Sequence, residues 1–201
     1  MIGVINYETG NIHAVCRALD ELNIKYVIVT DEKTLKKVSK VILPGVGSFD
    51  IAYEKITNSI FFNLLNELVI TQKIHVLGIC VGFQLMLENS DEGHSCGLGW
   101  INGSVKKIKN KDKCYKLPHI GWSRIYVDKN SRLLKGLNKQ EFFFLHSYEA
   151  DPINIDNVTS YCEYENKIVC SIEQDNILGV QFHPEKSFSQ GLDLFNNFVR
   201  L

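Results

Sequence analysis

The chain has 201 residues, 45% of them hydrophobic, and its 22 Lys and Arg residues nearly cancel its 23 Asp and Glu residues. This balance excludes a general electrostatic attraction to nucleic acid or to an anionic membrane surface. No apolar run approaches the roughly 18–20 residues that span a bilayer, and the start, MIGVINYETG, lacks the regions of a signal peptide.

The six cysteines and six histidines are dispersed and form neither a CxxC pair nor an HExxH-type metal spacing. A chain of this size and apolar content needs no disulfide framework to fold. We therefore expect reduced thiols, no bound metal, no cofactor and a cytoplasmic location.

In chain order, the first half alternates apolar strands with helical segments. Strands are predicted at residues 2–7, 25–31, 39–47 and 74–80. Helices are predicted at residues 12–22, between the second and third strands, and along a long stretch at 51–72. This β-α-β rhythm is typical of a doubly wound, mostly parallel sheet with helices on both faces.

After about residue 95 the pattern changes to short, turn-separated β segments. These lie at residues 97–109, 119–128, 141–150, 158–175 and 177–185. They predict antiparallel additions, either as hairpins or as an extension of the same sheet. A closing helix is expected at residues 191–201. With no repeat, linker or low-complexity stretch, the sequence indicates one α/β domain over residues 1–201.

Cys80 is the first candidate for chemistry because it ends an apolar strand between Gly78 and Gly82. Small residues two before and two after let a strand reverse sharply into a helix, as in a nucleophile elbow. The helix N-terminus favours a thiolate, and the N–H of Val81 is placed to bind an oxyanion. The alternative is an inert, buried structural thiol.

His183 is the candidate base, in the segment QFHPEKS (residues 181–187). Glu185 lies two positions further, so both side chains project to the same side of an extended segment. A carboxylate there would fix the imidazole tautomer and stabilise the imidazolium. Taken alone, a single histidine is more often an ordinary core or surface residue.

The segment LPGVGSFD (residues 43–50) is not a nucleotide loop, because it lacks both the GxGxxG and the Walker pattern. It follows a strand, so it lies at the same carboxyl edge of the sheet as Cys80. Its glycines allow backbone N–H groups to approach an oxyanion.

Together these segments resemble the class I glutamine amidotransferases, which carry a Cys-His-Glu triad, and within them the glutaminase subunits of imidazole glycerol phosphate synthase. The segments that carry the resemblance are INYETGN (5–11), LPGVGSF (43–49), GICVGFQLM (78–86), PHIGW (118–122), FLHSYE (144–149) and GVQFHPEKS (179–187). The resemblance implies a flavodoxin-like fold and hydrolysis of L-glutamine to glutamate and ammonia. It also implies a heterodimer in which a (β/α)₈-barrel cyclase/synthase subunit uses the ammonia to make imidazole glycerol phosphate and AICAR.

The resemblance assigns roles residue by residue. The catalytic residues are Cys80, His183 and Glu185. The oxyanion is assigned to Val46, Gly47 and Val81, and the Val46-Gly47 peptide is also a conformational switch. Substrate contacts are assigned to Gly45, Gln84, Glu92, Ser147 and Tyr148, although Glu92 reads equally well as a solvated acidic turn. The partner interface is assigned to Asn11, Trp122 and Lys186.

Some positions depart from the family pattern. Val81 and Phe83 replace the commoner Leu and Met by apolar swaps of similar volume. Ser123 stands where Asn is usual, and residues 142–144 are all Phe where Tyr is frequent. Three alternatives therefore stay open: a paralogue feeding an enzyme that amidates a surface-polysaccharide sugar, a flavodoxin-like oxidant sensor, and a hydrolase of esters or peptides.

Overall fold

The computed structural model describes residues 1–109, 115–128 and 131–201, so Cys114 lies outside the described residues. The strands are β1 (Ile2–Ile5), β2 (Tyr26–Val29), β3 (Lys40–Gly45), β4 (His75–Cys80), β5 (Asn89–Ser90), β6 (Gly103–Lys107), β7 (His119–Val127), β8 (Glu141–His146), β9 (Tyr148–Pro152), β10 (Val158–Tyr164), β11 (Asn166–Gln174) and β12 (Ile177–Val180). The helices are α1 (Ile12–Glu21), α2 (Glu32–Leu35), α3 (Phe49–Thr57), α4 (Phe62–Ile70), α5 (Val81–Gln84) and α6 (Phe188–Arg200). Single 3-10 turns occupy Ile155–Asn157 and Pro184–Lys186.

Within the described residues, nine strands form one sheet in the order β2-β1-β3-β4-β12-β11-β10-β7-β8. The pairs from β2 to β12 are parallel, and those from β12 to β8 are antiparallel. A smaller sheet joins β5, β6 and β9. The predicted α/β fold, parallel first and then antiparallel, is confirmed. No helix in the described ranges is long and apolar enough to cross a membrane.

Strand β4 lies in the interior of this sheet, between β3 and β12. Its residues Val76, Leu77 and Ile79 are buried, as expected for a parallel strand covered on both faces. Because β4 and β12 are parallel neighbours, with Ile79 opposite Val180, their carboxyl ends meet at one edge. The topology thus brings together two segments that are far apart in the chain, one ending at Cys80 and the other leading to His183.

Two helix predictions need correction. The long stretch at 51–72 is two helices, because the Thr57 hydroxyl donates to the Tyr53 carbonyl and the Ser59 hydroxyl to the Ile56 carbonyl, at 2.8 and 2.7 Å. These bonds satisfy the last turn of α3 and end it before α4 begins. The helix after Cys80 is a single turn, so its support for a thiolate comes from local N–H groups and not from a long macrodipole.

Candidate active site

Cys80 occupies a strained turn between β4 and α5, with φ 54° and ψ −113°. A non-glycine residue in such a conformation costs about 1–3 kcal/mol and persists only where surrounding packing enforces it. That packing comes from the end of β3. A Cβ on Gly82 would lie 2.0 Å from the Leu43 carbonyl oxygen, and one on Gly45 would lie 2.2 Å from the Gly82 nitrogen. The two glycines therefore let backbone meet backbone and hold the predicted elbow in place.

His183 is fixed from both sides. Its backbone N–H donates to the Phe143 carbonyl of β8 at 2.9 Å, and its carbonyl accepts from the Ser187 hydroxyl at 2.6 Å. Its Nδ1 lies 2.8 Å from Oε1 of Glu185, and both side chains are buried. Because a carboxylate only accepts, Nδ1 carries a proton toward Glu185. Nε2 has no hydrogen-bond partner among the described residues.

The charge state of His183 depends on its two acidic neighbours. Burial alone lowers the pKa of His183, but the neighbouring Cys80 and Glu185 outweigh burial and raise that pKa to about 10. Near neutral pH the imidazole is therefore an imidazolium, which lies beside the Cys80 nucleophile and can give up a proton. This arrangement provides a nucleophile and a proton donor in the same site.

One cavity of about 290 Å³ opens at this edge of the sheet. Nine of the predicted residues line it: Val46, Gly47, Cys80, Val81, Gln84, Glu92, Ser147, Tyr148 and His183. Of the predicted catalytic and substrate-binding residues, two do not line the cavity: Glu185 lies behind His183, and Gly45 packs on the elbow. The cavity also includes Pro118, Leu145 and His146, to which the sequence assigned no role in the site.

Glu92 supplies a carboxylate to the cavity wall. Its Oε2 accepts a hydrogen bond from the Phe49 backbone N–H at 3.2 Å. Burial, with a smaller contribution from Asp50, raises the pKa of Glu92. A partly desolvated carboxylate at a cavity wall suits a ligand ammonium group, and binding of that cation would favour the ionised form.

A pair of buried histidines lies beside the cavity. Nδ1 of His119 is 3.0 Å from Nε2 of His146, and the His119 ring stacks between Phe144 and Tyr164. Burial lowers the pKa of His119 to about 4 and, aided by the charge of His183, that of His146 to about 3. Both rings are therefore neutral in the folded chain.

We expect this pair to make the fold acid-sensitive. Between pH 6.5 and about 4, the unfolded chain binds protons at His119 and His146 that the folded chain does not. The free energy of unfolding should then fall with decreasing pH by up to about 2.7 kcal/mol per pH unit. Urea unfolding at a series of pH values measures this slope. His119→Gln should reduce it by about half, whereas exposed His13→Gln should not. Equal slopes for His119→Gln and wild type would contradict the assignment.

The predicted interface residues lie outside the cavity. Asn11 caps α1, since its Oδ1 accepts from the Ala14 N–H at 3.3 Å. Trp122 is 43% exposed and stacks on the 77% exposed ring of Phe188, with 5.1 Å between centroids. Lys186 is exposed beside the triad, with its Nζ 5.6 Å from the Phe143 ring centroid. Their contact with a partner remains a prediction.

The sequence profile described as "Glutamine amidotransferase class-I" matches residues 3–201. The chain belongs to this family.

Within the family, its similarity to one group extends over the full length. It is 41% identical to "Imidazole glycerol phosphate synthase subunit HisH" of Leptospira interrogans, with all of both chains covered. It is 40% identical to the protein of the same name from Pelagibacter ubique, covering all of this chain and 99% of the relative. Solved structures of a glutamine amidotransferase (TM-score 0.77, 16% identity, 99% and 97% of the two chains) and of PurLQS from Thermotoga maritima (0.72, 19%, 99% and 97%) share the fold.

Proposed function

We propose that this chain is the glutaminase subunit of an imidazole glycerol phosphate synthase. It hydrolyses L-glutamine and passes ammonia to a (β/α)₈-barrel synthase subunit, in a cytoplasmic heterodimer that serves histidine biosynthesis. The observation that carries the chemistry is that His183, paired with buried Glu185 at 2.8 Å, lines the same cavity as Cys80. The name shared by the full-length relatives supports the pathway and gives no support to the polysaccharide alternative.

The first half of the reaction forms a thioester. The Cys80 thiolate attacks the side-chain amide carbon of glutamine, and the carbonyl electron pair moves onto oxygen. The Val81 N–H and a backbone N–H from the Val46-Gly47 loop stabilise this oxyanion. The imidazolium of His183 gives its Nε2 proton to the departing nitrogen, and ammonia leaves.

The second half hydrolyses the thioester. Nε2 of His183, now neutral, takes a proton from water as the water oxygen attacks the thioester carbon. The carbon–sulfur bond breaks, its electron pair returns to Cys80, and glutamate is released. Glu185 stabilises the imidazolium that this step restores.

The remaining cavity groups hold the amino-acid end of the substrate. Glu92 receives the α-ammonium, and the backbone at Ser147 and Tyr148 receives the α-carboxylate. Gln84 contacts the substrate through Oε1, since its amide nitrogen donates to the Tyr148 carbonyl and to Gln181 within the protein.

The Val46-Gly47 loop is the gate of this mechanism. Gly47 has φ 93°, and a Cβ placed on it would meet nothing within 4 Å. Glycine tolerates either orientation of the preceding peptide, so the loop can present or withdraw an N–H without steric cost. Coupling of this peptide to the partner subunit would restrict ammonia release to times when the synthase holds its own substrate.

Glutamate release measured in three samples tests the proposal. The isolated chain should be slow, addition of the barrel subunit should change little, and addition of its nucleotide ligand should raise the rate roughly 10- to 100-fold. A fully active isolated chain would contradict the gating. Absence of glutamate release in all three samples would contradict the function itself.

A further inference from the structure

A largely buried chain of hydrogen-bonding groups, of which the mechanism above uses only Gln84 and the backbone at Tyr148, ends on the sulfur of Cys80. In order, its members are Ser123, His119, His146, the Tyr148 carbonyl, Gln84 and Gln181. Gln181 is 0% exposed and is the last member, with its Nε2 3.7 Å from Cys80 Sγ. Loss of any partner here would leave a buried polar group unsatisfied, so the arrangement is strongly constrained.

The Tyr148 carbonyl sets the direction of every bond in this chain. It accepts from Nδ1 of His146 at 2.8 Å and from Nε2 of Gln84 at 3.1 Å. A carbonyl oxygen only accepts, so both neighbours must donate. This fixes the tautomer of His146 and the amide orientation of Gln84.

The fixed amide orientation of Gln84 determines which group of Gln181 faces Cys80. The second N–H of Gln84 donates to Oε1 of Gln181 at 3.0 Å. Gln181 must therefore turn its NH₂ group toward the sulfur, because the opposite orientation would place two NH₂ groups against each other. The Gln181 group that faces Cys80 is therefore a hydrogen-bond donor.

On the other side, the chain is anchored in β7. With Nδ1 of His146 donating, its Nε2 accepts from Nδ1 of His119 at 3.0 Å. Nε2 of His119 is then an acceptor, and the Ser123 hydroxyl donates to it at 2.8 Å. The two neutral rings hold the Tyr148 carbonyl in position to accept the hydrogen bond from Gln84.

We propose that Gln181 is a further catalytic residue, whose Nε2–H donates to Cys80 Sγ and stabilises the thiolate. A hydrogen bond to an ionised acceptor is stronger than one between neutral groups, so the bond favours the charged sulfur over the thiol. It acts twice in the proposed glutaminase reaction, on which this inference rests. It supports the nucleophile before attack, and it supports the sulfur again when the thioester carbon–sulfur bond breaks and the electron pair returns.

The test is the pH dependence of Cys80 alkylation by iodoacetamide in the full chain bound to its synthase subunit, read by mass spectrometry of the Cys80 peptide. Gln181→Met keeps the length of the side chain and removes the donor. We expect the pH midpoint of alkylation to rise by about one unit and glutamine turnover at neutral pH to fall about tenfold. The exposed thiol of Cys96, read in the same digest, controls for the amount of active reagent in each sample.

Two further variants separate donation from simple damage to the core. Asn176→Leu removes another buried amide, which donates to the Val69 and Ile74 carbonyls at 2.9 and 2.8 Å. It should lower the melting temperature without moving the Cys80 midpoint. Gln181→Glu keeps the bond from Gln84 but places a carboxylate against the sulfur, and should raise the midpoint at least as far as Gln181→Met.

A Cys80 midpoint that is unchanged in both Gln181 variants would overturn the proposal. The alkylation experiment needs no glutamine, so it reports on Gln181 whether or not the chain is a glutaminase. Conversely, a wild-type chain that releases no glutamate in the presence of its partner would defeat the proposed function while leaving the alkylation result intact.

Discussion

Cys80→Ala and Cys80→Ser should abolish glutamine-dependent activity, lowering the rate of glutamate release by at least about 10⁴-fold. Alanine has no nucleophile. A serine hydroxyl is not ionised beside His183 at neutral pH, because its proton is held far more tightly than that of a thiol. The folded structure should survive, because among the described residues Sγ makes only two hydrogen bonds, to the Leu145 carbonyl at 3.9 Å and from Gln181 at 3.7 Å, and bonds to sulfur are weak.

The control for this prediction is ammonia itself. If Cys80 only generates ammonia, synthesis by the complex from added ammonium salt should proceed at the wild-type rate in both variants. Cys96→Ser, at an exposed thiol away from the cavity, should keep glutamine hydrolysis intact. A Cys80→Ala chain that hydrolysed glutamine normally would remove the nucleophile from the mechanism.

The elbow and the triad segment were predictable because their signals are local. Gly78 and Gly82 flank Cys80 at fixed offsets, and His183 and Glu185 share one side of an extended segment. That the two segments lie next to each other was not predicted, because residues 177–185 were expected to add to the sheet as an antiparallel strand. In the structure β12 pairs in parallel with β4, and this pairing brings the two carboxyl ends to one edge.

The break between β8 and β9 could not be predicted in the same way. Residues 141–150 alternate like one strand, yet the chain leaves the large sheet after His146 and enters the small sheet at Tyr148. Pairing with β6 determines that the chain enters the small sheet here, and the register of that pairing sets Lys107 opposite Tyr148. Such long-range pairing has no local signature. This crossing is what brings the Ser147-Tyr148 backbone to the cavity.

Gln181 illustrates the same limit at the level of one side chain. The sequence assigned Gln181 no role. Its role depends on Gln84, which is 97 residues away, and on a carbonyl whose acceptor geometry is set by a third strand. The direction of a hydrogen bond is a property of the assembled network, and the sequence alone does not contain it.

His183→Ala should cost about 10³- to 10⁴-fold in kcat/KM for glutamine, whereas Glu185→Gln should cost less. Alanine removes both the proton donor to ammonia and the base for water. Glutamine at position 185 keeps an oxygen that accepts from Nδ1 of His183 but loses the negative charge. A larger loss for His183→Ala than for Glu185→Gln would therefore distinguish the residue that transfers protons from the residue that orients and charges it.

The pH profile of Glu185→Gln provides a second, independent readout. Glu185 is one of the two groups that raise the pKa of His183 to about 10, so removal of its charge lowers that pKa. The reaction needs the imidazolium, and the alkaline limb of kcat/KM should move to lower pH in the variant. A matched substitution at an exposed carboxylate, Glu163→Gln, should leave the limb in place. A Glu185→Gln profile that superimposes on the wild-type curve would show that the carboxylate does not hold His183 in its charged form.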